Sequence, residues 1–159
     1  VLVNHWPSRR EGVAISEPKR VAAAERNREI IRDIQSRDPE ARIIIMGDFN
    51  DDPQSIAVRD HLVSTDFYNP MVFLLTRYAG SLTHRGDWYL FDQIILSPNW
   101  MKAYDNPLEY ENSAIYNPDH LKEQEGKNRG NPLRTYAGDK YLGGFSDHFP
   151  VYTIFKVED

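Results

Sequence analysis

The chain has 159 residues, the size of one domain, and sets 19 Lys and Arg against 24 Asp and Glu for a formal charge of −5. Its 40% hydrophobic content is too high for a disordered chain, and its 10 Pro and 9 Gly follow no period, which excludes collagen-like and low-complexity sequence. The absence of Cys excludes disulfides, thiolate zinc centres and cysteine nucleophiles, and no run approaches the roughly 20 apolar residues of a membrane-spanning helix.

Val1-Leu2-Val3-Asn4-His5 reads as a strand already under way, which predicts a fragment or a processed chain, and Trp6 to Gly12 reads as a loop. Ser16 as N-cap and Pro18 in the first turn predict a helix to about Ser36, with Ala23, Ile30 and Ile34 on its apolar side, Lys19, Arg20, Arg26 and Arg28 on its solvent face and Pro39 ending it. Arg42 to Gly47 is a β-branched run, the pattern of a strand buried on both faces. It breaks at Gly47-Asp48-Phe49-Asn50-Asp51-Asp52-Pro53, where Asp51 or Asp52 caps, and Pro53 opens, a short helix to about Leu62. Met71 to Tyr78 fits helix or strand. Ser81 to His84 and Trp88 to Leu96 predict a β-hairpin around Arg85-Gly86-Asp87. Residues 105–140, rich in Asn, Pro, Gly and charge, predict a long surface excursion, and Ser146-Asp147-His148 leads into a closing strand from Phe149 to Phe155. Strands mixed with two helices of unequal length make an α/β (α+β) protein.

Polar groups stand at strand ends throughout. His5 closes the first strand, Asp48 and Asn50 follow the Ile run, Asp92 falls in the hairpin's second strand, and Asp147-His148 precede the last strand. If the strands carrying the last two groups run antiparallel to the first two, these side chains meet on one sheet edge. Each also has a plain structural explanation: Asp after Gly is a common turn former, and a single His is more often structural than catalytic. Asp92 resists that reading, because a carboxylate between Phe91 and Ile94 needs a partner. His148 is the natural one, since an Asp fixes the tautomer and orientation of an imidazole.

Gly47-Asp48-Phe49-Asn50, the strand Phe91-Asp92-Gln93-Ile94-Ile95-Leu96-Ser97, Ser146-Asp147-His148-Phe149-Pro150-Val151 and Asn4-His5-Trp6-Pro7-Ser8-Arg9 together resemble, in order, the later motifs of the endonuclease/exonuclease/phosphatase superfamily. The resemblance implies the second half of a four-layer α/β sandwich, with a mixed, largely antiparallel sheet and flanking helices, so that residues 1–159 form a single partial domain. It further implies hydrolysis of a phosphate ester by activated water, assisted by Mg²⁺ or Mn²⁺. Carried over by position, Asp48 orients or deprotonates the water, Asn50 holds the scissile phosphate, and His148, oriented by Asp92, contacts that phosphate and assists proton transfer. His5 is the second imidazole at the phosphate and Asp147 a metal ligand or its support. Arg9, Arg134 and Tyr136 are secondary candidates for substrate contact.

The family's metal-binding Glu and early Asn lie upstream of its His motif, and neither Glu11 nor Glu17 matches that Glu. Two functional classes follow: a phosphoesterase whose substrate is nucleic acid, a lipid headgroup or a soluble phosphate, or a non-catalytic half-domain that acts only by association. The acidic balance weighs against non-specific nucleic-acid binding. One face of the strand at Ile43 to Met46 is expected to lack the sheet it should meet, and so to be covered by the N-terminal half of the domain or by a second copy in a homodimer.

Overall fold

Two apolar clusters on opposite faces of a three-stranded sheet organise the chain, in a computed structural model that describes residues 1–101 and 107–157. Strand β1 (Leu2–His5) runs parallel to β2 (Ile44–Asp48), and β5 (Asp92–Leu96) runs antiparallel to β2 on its other side. The connection from β1 to β2 is helix α1 (Val13–Arg37), as a parallel pair requires a crossover. Alternation along β2 sends Ile45 towards α1, where it packs with Ile43, Ala24, Ile31 and Leu62. Ile44 and Met46 point the other way, into a cluster of Met71, Leu90, Ile94 and Leu96.

That second face is covered from within the chain, against expectation. Strand β6 (Leu108–Ile115) pairs antiparallel with β9 (Val151–Val157), and Tyr110, Ile115, Val151 and Phe155 pack against the cluster. The layers are helix, sheet and two-stranded ribbon, an α/β sandwich. Residues 105 and 106, the start of the expected excursion, lie outside the described residues, as do 158 and 159. Within 107–140 the excursion is not wholly loop, because β6 belongs to this ribbon. Its sequence disguises it: Glu109 and Ser113 occupy inward positions, each answered across the ribbon, Ser113 by the Thr153 hydroxyl at 2.8 Å and Glu109 by Lys156 at 3.7 Å.

Other boundaries move for identifiable reasons. Helix α1 begins one turn earlier than Ser16, because the Ser16 hydroxyl donates back to the Gly12 carbonyl and accepts from Arg20, so it sits inside the helix instead of capping it. Asp51 caps nothing. It is buried and ion-paired, and the helix after it is a π-helical segment, Ala57–Val63. Met71 to Tyr78 opens on a short 3₁₀ turn, Pro70–Phe73. The long hairpin strand is two strands: β4 (Asp87–Tyr89) pairs with β3 (Leu82–His84), and the chain then leaves for β5. The break at Leu90-Phe91 is held by the Asp52 carboxylate, which accepts from the Leu90 amide at 2.8 Å, and by the Phe91 carbonyl, which accepts from Phe49 at 2.8 Å.

Candidate active site

The register of the sheet places His5 opposite Asp48 and Asp48 opposite Asp92, one row across three strands at one edge. Residues paired directly across a sheet project to the same face. The row therefore sets two carboxylates side by side, an arrangement that costs free energy unless cations attend it. Imidazoles attend both. The Asp92 carboxylate meets His148 Nδ1 at 2.7 Å, and His5 Nε2 lies 3.6 Å from Asp48. His148 arrives from the loop before β9, anchored by the Phe149 amide donating to the Ser81 carbonyl at 2.7 Å. The antiparallel geometry expected from the sequence is present in β5, and Asp92 begins that strand instead of lying within it.

The loop after β2 is built to hold Asp48 and Asn50. Gly47 takes φ +135°, where a side chain would be strained, and a Cβ there would overlap the Asn4 carbonyl of β1. Asn50 sits in the left-handed region at φ +49°, which Asn tolerates. Its amide nitrogen donates to the Asp48 carboxylate at 2.8 Å, and its side-chain amide donates to the Trp6 carbonyl at 2.9 Å. Behind it, fully buried Arg20 donates to Asp51 at 2.7 Å, and Arg9 ion-pairs with the other oxygen of the same carboxylate. Buried Gln93 donates to the Asp51 carbonyl at 2.7 Å, and Asn69 donates to Gln93 at 2.8 Å.

Burial pushes the Asp48 carboxyl above its ordinary range, opposed by the hydrogen bond from Asn50, assisted by the negative charge of Asp92, and eased by the two imidazoles. His148 moves upward too. Burial works to lower it, but the hydrogen bond and charge of Asp92, with the charges of Asp48 and Asp147, outweigh that and favour the imidazolium. The edge thus pairs a carboxylate of raised basicity with an imidazole of raised proton affinity.

The remaining candidates separate. Asp147 is exposed beside His148. Arg9 is committed inward, donating to the Asn50 carbonyl at 2.9 Å and stacked 4.5 Å over the Phe91 ring. Arg134 stands on a loop past β6, donating to the Thr83 carbonyl at 3.4 Å, and Tyr136 lies in the short strand β7 (Tyr136–Ala137), exposed against Tyr141 of its partner β8 (Lys140–Tyr141). Arg20, expected on the solvent face, is fully buried, Asp51 is expected only as a cap, and Gln93 is given no role by the sequence; the one available signal is a helical Arg at the spacing of the apolar face, in register with Ala24, Asn27 and Ile31. Among the described residues no three His, Asp or Glu side chains gather closely enough to hold a metal ion. Asp48 and Asp92 each spend an oxygen on a hydrogen bond. The donor set described therefore does not by itself fit the divalent cation implied by the sequence resemblance.

Residues 1–157 match the model of the endonuclease/exonuclease/phosphatase family. No curated protein sequence matches the chain. Among solved structures, the chain is similar to truncated TDP2 of Caenorhabditis elegans, with 16% identity and a TM-score of 0.57 over 98% of this chain and 53% of that one. It is also similar to a mannosyl-6-phosphatase of Bacteroides thetaiotaomicron, with 20% identity and a TM-score of 0.54 over 89% of this chain and 47% of the other. At these identities the likeness is one of fold, and the chain spans about half the length of each structure.

Proposed function

The chain belongs to the endonuclease/exonuclease/phosphatase family, and from that premise we propose that it carries the acid–base machinery of a phosphate-ester hydrolase. The observation that supports this reading is the row His5, Asp48, Asp92 with His148 closing on Asp92 at 2.7 Å. In the proposed reaction a water molecule attacks phosphorus and Asp48, made more basic by burial, takes its proton. The bond from phosphorus to the ester oxygen breaks as the new bond forms, and His148, whose imidazolium form Asp92 favours, gives its proton to that departing oxygen. Asn50 has a second amide hydrogen for the same phosphate after the one given to Trp6. His5, exposed at the rim, faces the phosphate from the other side of Asp48.

The substrate in this reading is a phosphomonoester or phosphodiester. Asp48→Asn and His148→Ala each lower turnover of a p-nitrophenyl phosphate or bis-p-nitrophenyl phosphate probe by about 10²–10⁴-fold, the usual contribution of an acid–base group. Unimpaired turnover in the double variant would sink the proposal.

We also propose a requirement for Mg²⁺ or Mn²⁺, met with donors beyond those described, because the described residues offer no trio of ligands. Activity lost in chelator and restored by either ion is the expected result. A second reading, a half-domain that works only with a partner segment, draws on the span of about half of each matched structure and on the open edge of β1, where Val1 and Val3 are each 78% exposed. In that reading the N-terminal half of such a domain, or a second copy, lies along β1. Light scattering that gives a lone 18.5 kDa species with full phosphoesterase activity would refute it.

A further inference from the structure

A cleft of about 580 Å³ opens between the turn of the β3–β4 hairpin and the loops past β6. Positive charge enters it from three separate segments: Arg85 from the hairpin turn, Lys127 from a 3₁₀ turn, and Arg134 from the loop that follows. Against these stands one lining carboxylate, Glu123, and the side-chain amides of Asn128 and Asn131 complete the polar wall. Neither Arg85 nor Lys127 forms an ion pair among the described residues. In a chain of net charge −5, three cations gathered on one cleft repel one another, and an oxyanion seated between them relieves that repulsion with charge-assisted hydrogen bonds.

The turn itself carries a cost that its own hairpin does not need. Arg85 has φ +54° and Gly86 φ +94°, two successive left-handed residues, the conformation for which Asn-Gly is the favoured pair. An Arg there gives up turn stability and gains a guanidinium at the cleft. Backbone held in such a conformation is common where a side chain meets a ligand.

The segments that line the cleft are tied by hydrogen bonds to the proposed site. Ser81, at the foot of β3, accepts from the Phe149 amide through its carbonyl at 2.7 Å, and its hydroxyl accepts from the Asp92 amide at 3.4 Å. On the other wall, the Gly144 and Phe145 amides donate to the carbonyls of Arg134 and Leu133, each at 3.1 Å, a few residues before His148. The residue that leads into the hairpin thus holds Asp92 itself and Phe149, the neighbour of His148, and the facing loop is tied to the segment that delivers His148.

We propose that this cleft binds a second oxyanion carried by the substrate, so that one phosphate ester is hydrolysed at Asp48 and His148 while another anionic group is anchored by Arg85, Lys127 and Arg134. The proposal rests on the phosphate-ester reading above. The charge forms a bounded pocket and not a stripe, and the rest of the chain is acidic, which favours a small bis-anionic substrate over a nucleic-acid strand.

Titration calorimetry in chelator, where hydrolysis is suppressed, compares fructose 1,6-bisphosphate with fructose 6-phosphate as probes. The bisphosphate binds at least tenfold more tightly to the unaltered protein. The double variant Arg85→Asn, Lys127→Gln brings the two probes within about twofold while leaving fructose 6-phosphate binding and the circular dichroism spectrum unchanged. Asn suits the turn better than Arg, so loss of the preference in this variant does not come from unfolding. Equal binding of the two probes, a preference that survives the double variant, or tighter binding of a thymidine oligonucleotide at matched ionic strength each overturns the proposal. An Asp48→Asn protein keeps the bisphosphate preference, so a chain that shows the preference but never hydrolyses either ester refutes the catalytic reading and leaves the cleft standing.

Discussion

Burial draws the Asp48 carboxyl towards its protonated form, and that pull makes it testable. A carboxyl whose pKa is raised by folding favours the folded state only while protonated, so its contribution is present below the unfolded value of about 3.8 and is lost as pH rises through the raised one. Where it is ionised the group is a burden on the fold, and Asp48→Asn raises the melting temperature even as it removes the hydrolysis proposed above. A gain of ~1 kcal/mol would register as roughly 2–4 °C in a chain of this size. His148 carries the opposite dependence. Its raised value means that its stabilising contribution is full below the unfolded pKa of about 6.5 and fades as pH rises through the folded one. Asp92→Asn removes the dominant raising influence and leaves burial to act, so the His148 ring titrates at lower pH by NMR; an unchanged midpoint would show that Asp92 does not hold the ring. The sequence disclosed this pair because an acid in an apolar strand demands a partner. It could not disclose the row His5, Asp48, Asp92, since register is set by hydrogen bonds between segments more than 40 residues apart.

At the scale of elements, the β2 strand and the loop after it carry the most information per residue. The Ile run announced a strand buried on both faces, and the structure supplies a cluster on each. Gly47 is fixed by sterics: a methyl group at its Cα would meet the β1 backbone, and its φ admits few other residues. Gly47→Ala therefore forces β1 from β2 and costs about 3 kcal/mol or more, read by urea denaturation as a lower midpoint at unchanged slope. Alanine at Gly86, where nothing lies near, costs less because it meets only the backbone strain. Strand β6 was illegible for a physical reason. Glu109, Asn112 and Ser113 break the alternation that marks a strand, and what stabilises them, a ladder to β9 with an irregularity between Tyr110 and Asn112, is visible only once both strands are placed. The helix start was misread on similar grounds, since a Ser four residues before a buried Arg serves that Arg and not the first turn.

Across the whole molecule the three-stranded sheet is clamped by α1 on one face and by the β6–β9 ribbon on the other, and the two clamps differ in kind. Ala24 and Ile31 of α1 are fully buried. Among the described residues strand β9 pairs with β6 alone, and it leaves Tyr152 and Ile154 about 40% exposed. Stability spreads unevenly in such a molecule, and regions with more open backbone and fewer buried side chains open first. In native-state hydrogen exchange the β9 amides are expected to exchange before those of β2 and β5; simultaneous exchange would show that the ribbon and sheet form one cooperative unit.

That asymmetry reaches the chemistry through a covalent fact. His148 sits three residues upstream of β9, so each transient departure of the strand from β6 slackens the tether that delivers the imidazole to Asp92. In the proposed reaction, the fraction of molecules with His148 in place then follows the opening equilibrium of the ribbon and not global unfolding. Heat or mild denaturant is then expected to abolish the proposed hydrolysis well before the sheet is lost, with the helix and the Ile run still intact.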